Sequence, residues 1–181
     1  MSSAVIEPES LGAQATGARL GIAIWIFTTT VALLILGLII GAPLAEAHGH
    51  SSFAFAVYKA FGFVCHQIPE RSFHVAGYKF AVCSRCTGLY SGFAGAALVY
   101  PLTRSLKQTD TPRGLWLILA AVPLAIDFAL GYFSIWSNTH LSRFSTGALL
   151  GAVAVFYVMP GLIELASMVK PCFDRKLLRE T

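Results

Sequence analysis

The chain has 181 residues, of which 56% are hydrophobic and 12% charged, and its formal net charge is +4. That charged share is about half the share usual in soluble domains, and a chain this short cannot bury so much apolar surface in one core. Lipid is therefore its natural solvent. No basic run with interleaved aromatics marks a nucleic-acid face, and the four cysteines are too few and too uneven for a secreted disulfide scaffold.

Residues 1–19, rich in Ser, Ala and Gly with Glu7 and Glu9, read as a flexible N-terminal tail. The run 20–40 carries no charge and is long enough to cross a bilayer. Ala45-Glu46-Ala47 has the pattern of a signal-peptidase site, but the apolar stretch exceeds a signal-peptide core and its leader has two acids and only Arg19, so a retained anchor is expected. An outer loop follows at 41–86. Within it, Phe53 to Val64 is apolar and aromatic but too short to span, which points to an interfacial or re-entrant helix. Further spans are expected at about 87–103, 115–135 and 144–169, closing with a basic tail at 170–181. The expected architecture is thus all-α: one helical membrane domain over 20–169 with about four transmembrane helices.

Basic residues set the orientation. Arg19, Arg104, Lys107, Arg113, Lys170, Arg175, Lys176 and Arg179 fall on one side of a four-span arrangement, eight against the five of Lys59, Arg71, Lys79, Arg85 and Arg143. Both termini are accordingly expected in the cytoplasm of a prokaryote, with the loop 41–86 outside its plasma membrane.

Chemistry concentrates between Cys65 and Cys86. Cys83-Ser84-Arg85-Cys86 is a C-x-x-C pair, able to offer two sulfurs to one metal or to each other. Cys65 and His66 lie one loop upstream and complete a candidate ligand set of Cys65, His66, Cys83 and Cys86 for zinc or another thiophilic transition metal. Adjacent Cys and His do not easily reach one ion, so three ligands with an open position are an equal expectation. The same sulfurs allow thiol–disulfide exchange, with Cys83 and Cys86 paired and Cys65 exchanging, or an inert staple. His48, His50, His74 and His140 carry no such pattern, and Cys172 falls in the basic tail.

Asp127 stands about 12 residues into the third expected span, where a carboxylate is costly and marks a functional site by default. Pro123, one turn earlier, removes a helix hydrogen bond. Arg143 opens the fourth span from the same side and is the expected partner of Asp127. Gly88-x-x-x-Gly92 and Gly147-x-x-x-Gly151 are small-residue seams for close helix packing. Glu70, Arg71, Arg85, Asp127 and Arg143 are then the candidate lining of a polar pocket at the outer mouth of the bundle.

Cys65-His66-Gln67, Pro69-Glu70-Arg71-Ser72-Phe73, Cys83-x-Arg85-Cys86-x-Gly88 with Tyr90 and Gly92, then Asp127, Asn138, Arg143 and Gly147-x-x-x-Gly151 together resemble an uncharacterised prokaryotic membrane family, domain of unknown function 2085, over roughly 61–151. Phe128 stands where that family often has glycine. The resemblance implies a membrane protein with these motifs and implies no activity. The expected function is a membrane metalloprotein, with Asp127 as proton acceptor if it is an enzyme, acting on a small anionic or amphiphilic molecule. Alternatives are a quinone-coupled thiol–disulfide oxidoreductase and a transporter subunit or assembly factor with structural zinc.

Overall fold

The computed structural model describes the backbone of residues 8–180 and the side chains of 17–169. Five helices make up the structure: α1 (Pro8–Ala47), α2 (Ser51–Gly62), α3 (Ser84–Thr103), α4 (Leu115–Tyr132) and α5 (His140–Glu180). A 3₁₀ turn (Pro69–Arg71) and a two-stranded hairpin, β1 (His74–Val75) with β2 (Tyr78–Lys79), fill the connection between α2 and α3. The expected all-α membrane architecture holds.

Three stretches are long and apolar enough to cross a bilayer by themselves: Gly17–Ala47, Leu115–Tyr132 and His140–Val169. The remaining expected span, the second in chain order, is α3, whose 20 residues reach about 30 Å. It falls short in apolarity because its sequence goes into small residues that pack rather than into large ones that face lipid. The helices run past the apolar runs at both ends. Part of the N-terminal stretch expected as a tail is helix from Pro8, and the basic C-terminal stretch continues α5 to Glu180. Residues 1–7 and the side chain of Cys172 lie outside the described set.

The seam between α3 and α5 is the central packing contact. A β-carbon added at Gly88 or Gly92 would meet the backbone of Phe144 or Ala148, and one added at Gly147 or Gly151 would meet the backbone of Arg85 or Leu89. The two glycine pairs face each other, so the helices touch main chain to main chain, as small-residue seams allow. Below the seam, Ala97, Tyr100, Val155, Met159 and Ile163 form a buried cluster against which Trp25 and Phe156 pack. Trp25 adds a hydrogen bond from its indole Nε1 to the Ala97 carbonyl, 2.7 Å, which ties α1 to α3.

α1 ends where Gly49 turns left-handed, φ +81°, and the amides of His48, Gly49 and His50 return to carbonyls of the last turn. That turn sends the chain into α2. At 12 residues α2 is too short to cross a bilayer. It buries Ala54 and Val57 against α1 and leaves Phe53 and Phe55 exposed, the division an interfacial helix requires. The hairpin turns on Ala76 and Gly77, both at positive φ, which is the primed turn that a two-residue loop favours. After it, the amide of Ala81 bonds to the carbonyl of Ile39 at 3.2 Å, pinning the approach to α3 against α1.

Candidate functional site: a three-cysteine cluster beside an arginine-lined cavity

Cys65 ends the segment after α2, Cys83 is the N-cap residue of α3, and Cys86 sits in its first turn. Ile39, Cys65 and Val82 are buried together, with Cys83, Cys86, Phe61 and Tyr90 packed on them. The sulfurs of Cys65, Cys83 and Cys86 all lie within 4.8 Å of one another. They are free thiols.

The Cys65 sulfur is the electrostatic centre of this group. It accepts backbone N–H bonds from Cys83 (3.2 Å) and from Gln67 (3.5 Å). The thiols of Cys83 and Cys86, in that order of effect, donate to it as well, and together these donors hold Cys65 well below the ordinary thiol range despite its burial. These donors favour the thiolate form of Cys65, and two further sulfurs stand where they can join it on one ion.

Its geometry depends on Gln67, which takes a left-handed φ of +51° to point its amide back at the sulfur. For a residue with a long side chain that conformation is costly, and the surroundings compensate. The Gln67 side chain donates to the Tyr58 carbonyl at 2.7 Å, and its own carbonyl accepts from Lys79 Nζ at 2.6 Å. Tyr58 in turn donates its hydroxyl to the Lys79 carbonyl at 2.5 Å. Two more buried hydroxyls brace the same loop: Ser72 donates to the Ile68 carbonyl and Ser84 to the Arg71 carbonyl, each at 2.9 Å.

Beside the cluster is a cavity of about 500 Å³ into which Cys65, Cys83, Cys86, Arg71, Arg85 and Arg143 all face. Its other wall is the end of α4, with Phe128, Gly131 and Tyr132. His66 lines the cavity too, but it is exposed and does not join the sulfur group. Glu70 is exposed on the 3₁₀ turn and takes no part in the cavity lining.

The partner of Asp127 differs from expectation. It is Arg85, on α3, that forms the ion pair, and not Arg143. The reason is helical phase. On α5 it is Ser142 that faces Asp127, donating its hydroxyl to Oδ1 at 2.9 Å. The next residue, Arg143, is turned away by about 100° and points into the cavity instead, within electrostatic reach of Arg71 and Arg85. Both Asp127 oxygens are engaged, one by Arg85 and one by Ser142, and the Asp127 main-chain carbonyl accepts from the Asn138 amide. A carboxylate so placed orients Arg85. Phe128 lies under the Arg85 guanidinium, 5.5 Å from the ring centre, and so fixes the plane of the fork.

Sequence reasoning gave no role in the site to Gln67, Lys79, Tyr58, Phe128 or Ser142, although Gln67 stood in the Cys-His-Gln motif and Phe128 where the resembled family often has glycine.

The cluster fits a metal by its chemistry. Tetrahedral zinc with sulfur at about 2.3 Å sets its sulfurs about 3.8 Å apart, so a group already within 4.8 Å closes on an ion with small side-chain adjustments. Three sulfurs leave one position open.

These features define a helical membrane protein carrying a three-cysteine cluster at one end of its helix bundle. The chain belongs to the family described as predicted membrane protein, domain of unknown function 2085, whose model matches residues 65–157. It is similar to an uncharacterised protein of Methanocaldococcus jannaschii, 35% identical over 109 residues that cover 60% of this chain and 70% of the relative. A second uncharacterised relative, from Methanothermobacter thermautotrophicus, is 36% identical over 105 residues, covering 57% and 93% respectively. No solved structure matches the chain.

Proposed function

We propose that this protein is a metalloprotein of a prokaryotic plasma membrane, in which Cys65, Cys83 and Cys86 hold a thiophilic transition metal, such as zinc, and the adjoining cavity receives a small anionic or amphiphilic molecule. The observation that carries the reading is the Cys65 sulfur, bonded by two main-chain amides, set among two further sulfurs and facing the same cavity as three arginines. A metal held there would supply Lewis acidity or an activated water at its open position. The chain's own groups bind and orient: Arg71 and Arg143 present charge, Arg85 is held in place by Asp127 and Phe128, and His66 adds an exposed polar group to the lining. The excess of basic residues on the opposite loops and tail supports a topology with both termini in the cytoplasm and the site at the outer face.

Elemental analysis of the detergent-purified chain tests this. About one thiophilic ion per chain is expected, retained in His66→Ala and lost in Cys83→Ser or Cys86→Ser. A metal-free protein with a Cys83–Cys86 disulfide would overturn the reading in favour of a quinone-coupled thiol–disulfide oxidoreductase. A metal that stays bound while every arginine in the cavity is dispensable for function would reduce the centre to a structural staple, as in a transporter subunit or assembly factor.

A further inference from the structure

We infer that the cavity is a phosphate site, in which Arg71, Arg85 and Arg143 hold a phosphoryl group, either free or carried on a lipid. This rests on the cavity being the functional site proposed above, but not on a metal being bound.

The argument begins with a charge count. Three guanidinium groups reach the cavity from three separate elements, the 3₁₀ turn, α3 and α5. Among the described residues one carboxylate answers them, Asp127, and it is committed to Arg85. Arg71 and Arg143 have no carboxylate partner there, so even with Cys65 as a thiolate on the cavity wall the guanidinium charge stays in excess. Three like charges do not gather at a partly desolvated site without an anion to repay the repulsion. A phosphate monoester answers that excess and presents three acceptor oxygens to the guanidinium groups, whereas a carboxylate presents two.

Donor geometry agrees. Guanidinium forks bind phosphate oxygens in pairs. Arg85 is a prepared fork: Asp127 holds one of its nitrogens, Phe128 supports its plane, and its Nε is buried without a hydrogen-bond partner. At about 500 Å³ the space exceeds a bare phosphate and suits a phosphate with a substituent. Phe128 and Tyr132, stacked on each other and both exposed, form an aromatic lip at the last turns of a membrane-crossing helix. That lip gives an attached acyl or isoprenoid chain a way out toward lipid, and gives a water-soluble ligand nothing.

Thermal unfolding of the full chain in detergent, at constant ionic strength, is the test. The probes are sodium phosphate, a short-chain phosphatidic acid, and acetate as the monoanionic control. Saturable stabilisation by the phosphatidic acid alone assigns the phosphate to a lipid headgroup, and stabilisation by inorganic phosphate as well assigns it to a soluble ligand. Either supports the inference if acetate has no effect. Arg143→Gln should weaken the effect by about tenfold or more, the loss expected for one charge-assisted contact. Arg71→Lys, a change on an exposed turn that keeps both charge and fold, should weaken it several-fold because the fork is lost. No stabilisation by either phosphate probe, or stabilisation unchanged in both variants, overturns the inference. Metal content measured on the same samples separates the two proposals: metal-free protein that still binds the phosphate probe sinks the metal reading and leaves this one standing.

Discussion

Replacing Asp127 by asparagine removes one charge from the site while keeping nearly all of its shape. The asparagine carbonyl can still accept from Ser142, and the main-chain carbonyl still meets Asn138, so what is lost is the partner of Arg85. Breaking a fully buried ion pair at one end costs about 3–5 kcal/mol, because the survivor is left as an unpaired charge. Here the side chains keep 10% (Asp127) and 22% (Arg85) of their exposure, and Phe128 still supports the guanidinium. The cost should therefore fall to roughly 2–3 kcal/mol. Arg85→Gln, which strands Asp127, should cost a similar amount. The double variant should cost well under the sum, with a coupling energy of about 1.5 kcal/mol or more. Unfolding titrations of the four proteins in mixed detergent measure this directly. A parallel cycle with Arg143→Gln should show no more than about 0.5 kcal/mol of coupling to Asp127, since Arg143 is turned into the cavity. Additivity in the Arg85 cycle, or strong coupling in the Arg143 cycle, would refute the geometry on which the site rests.

The helix seam gives a sharper structural check: Gly92→Ala drives a methyl into the backbone of Ala148 and should cost about 1–3 kcal/mol, whereas Gly95→Ala on the same helix meets nothing and should be neutral or stabilising by up to about 1 kcal/mol in the same unfolding assay. Metal uptake should release fewer than three protons per ion at neutral pH, because Cys65 is already ionised; calorimetry in buffers of different ionisation enthalpy reads this, and a count of three would show that Cys65 enters as a thiol. The same depression sets the acid side: with the folded-state value below the unfolded one, the stability contributed by Cys65 is complete above the ordinary thiol range, declines progressively as the pH falls below it, and is gone once acid protonates the folded thiolate. Impermeant labelling of a cysteine placed at Lys107 should fail in intact cells and succeed after lysis, and ready labelling in intact cells would reverse the orientation.

Much of this arrangement was legible because polar residues stand out in an apolar chain. Cys65, Cys83, Cys86, Asp127 and the three arginines were visible as costs a membrane protein does not carry idly, and the paired glycines announced the contact between α3 and α5. What sequence could not supply was rotation. Arg143 and Ser142 are neighbours in the chain, and only the setting of α5 against α4 decides which of them faces Asp127. The supports of the cysteine loop were hidden for a different reason. Gln67, Lys79 and Tyr58 act mainly through main-chain carbonyls, and a residue that bonds to backbone leaves no complementary side chain to be noticed. Helix ends were misplaced because hydropathy marks where lipid stops, not where hydrogen bonding stops.

The position of α4 has a mechanical consequence. It packs extensively on α5 alone among the helices, and little of its surface is covered by the rest of the chain. Across the cavity, its hold on α3 is the Arg85 side chain, through the ion pair to Asp127 and the ring of Phe128. Among the described residues α4 is thus a panel hung along α5 and latched to α3 through Arg85. That residue is also one of the three that reach toward a bound anion. Any ligand that draws the Arg85 guanidinium toward itself loosens the latch as it binds, so occupancy of the cavity and the freedom of its wall are governed by the same few atoms.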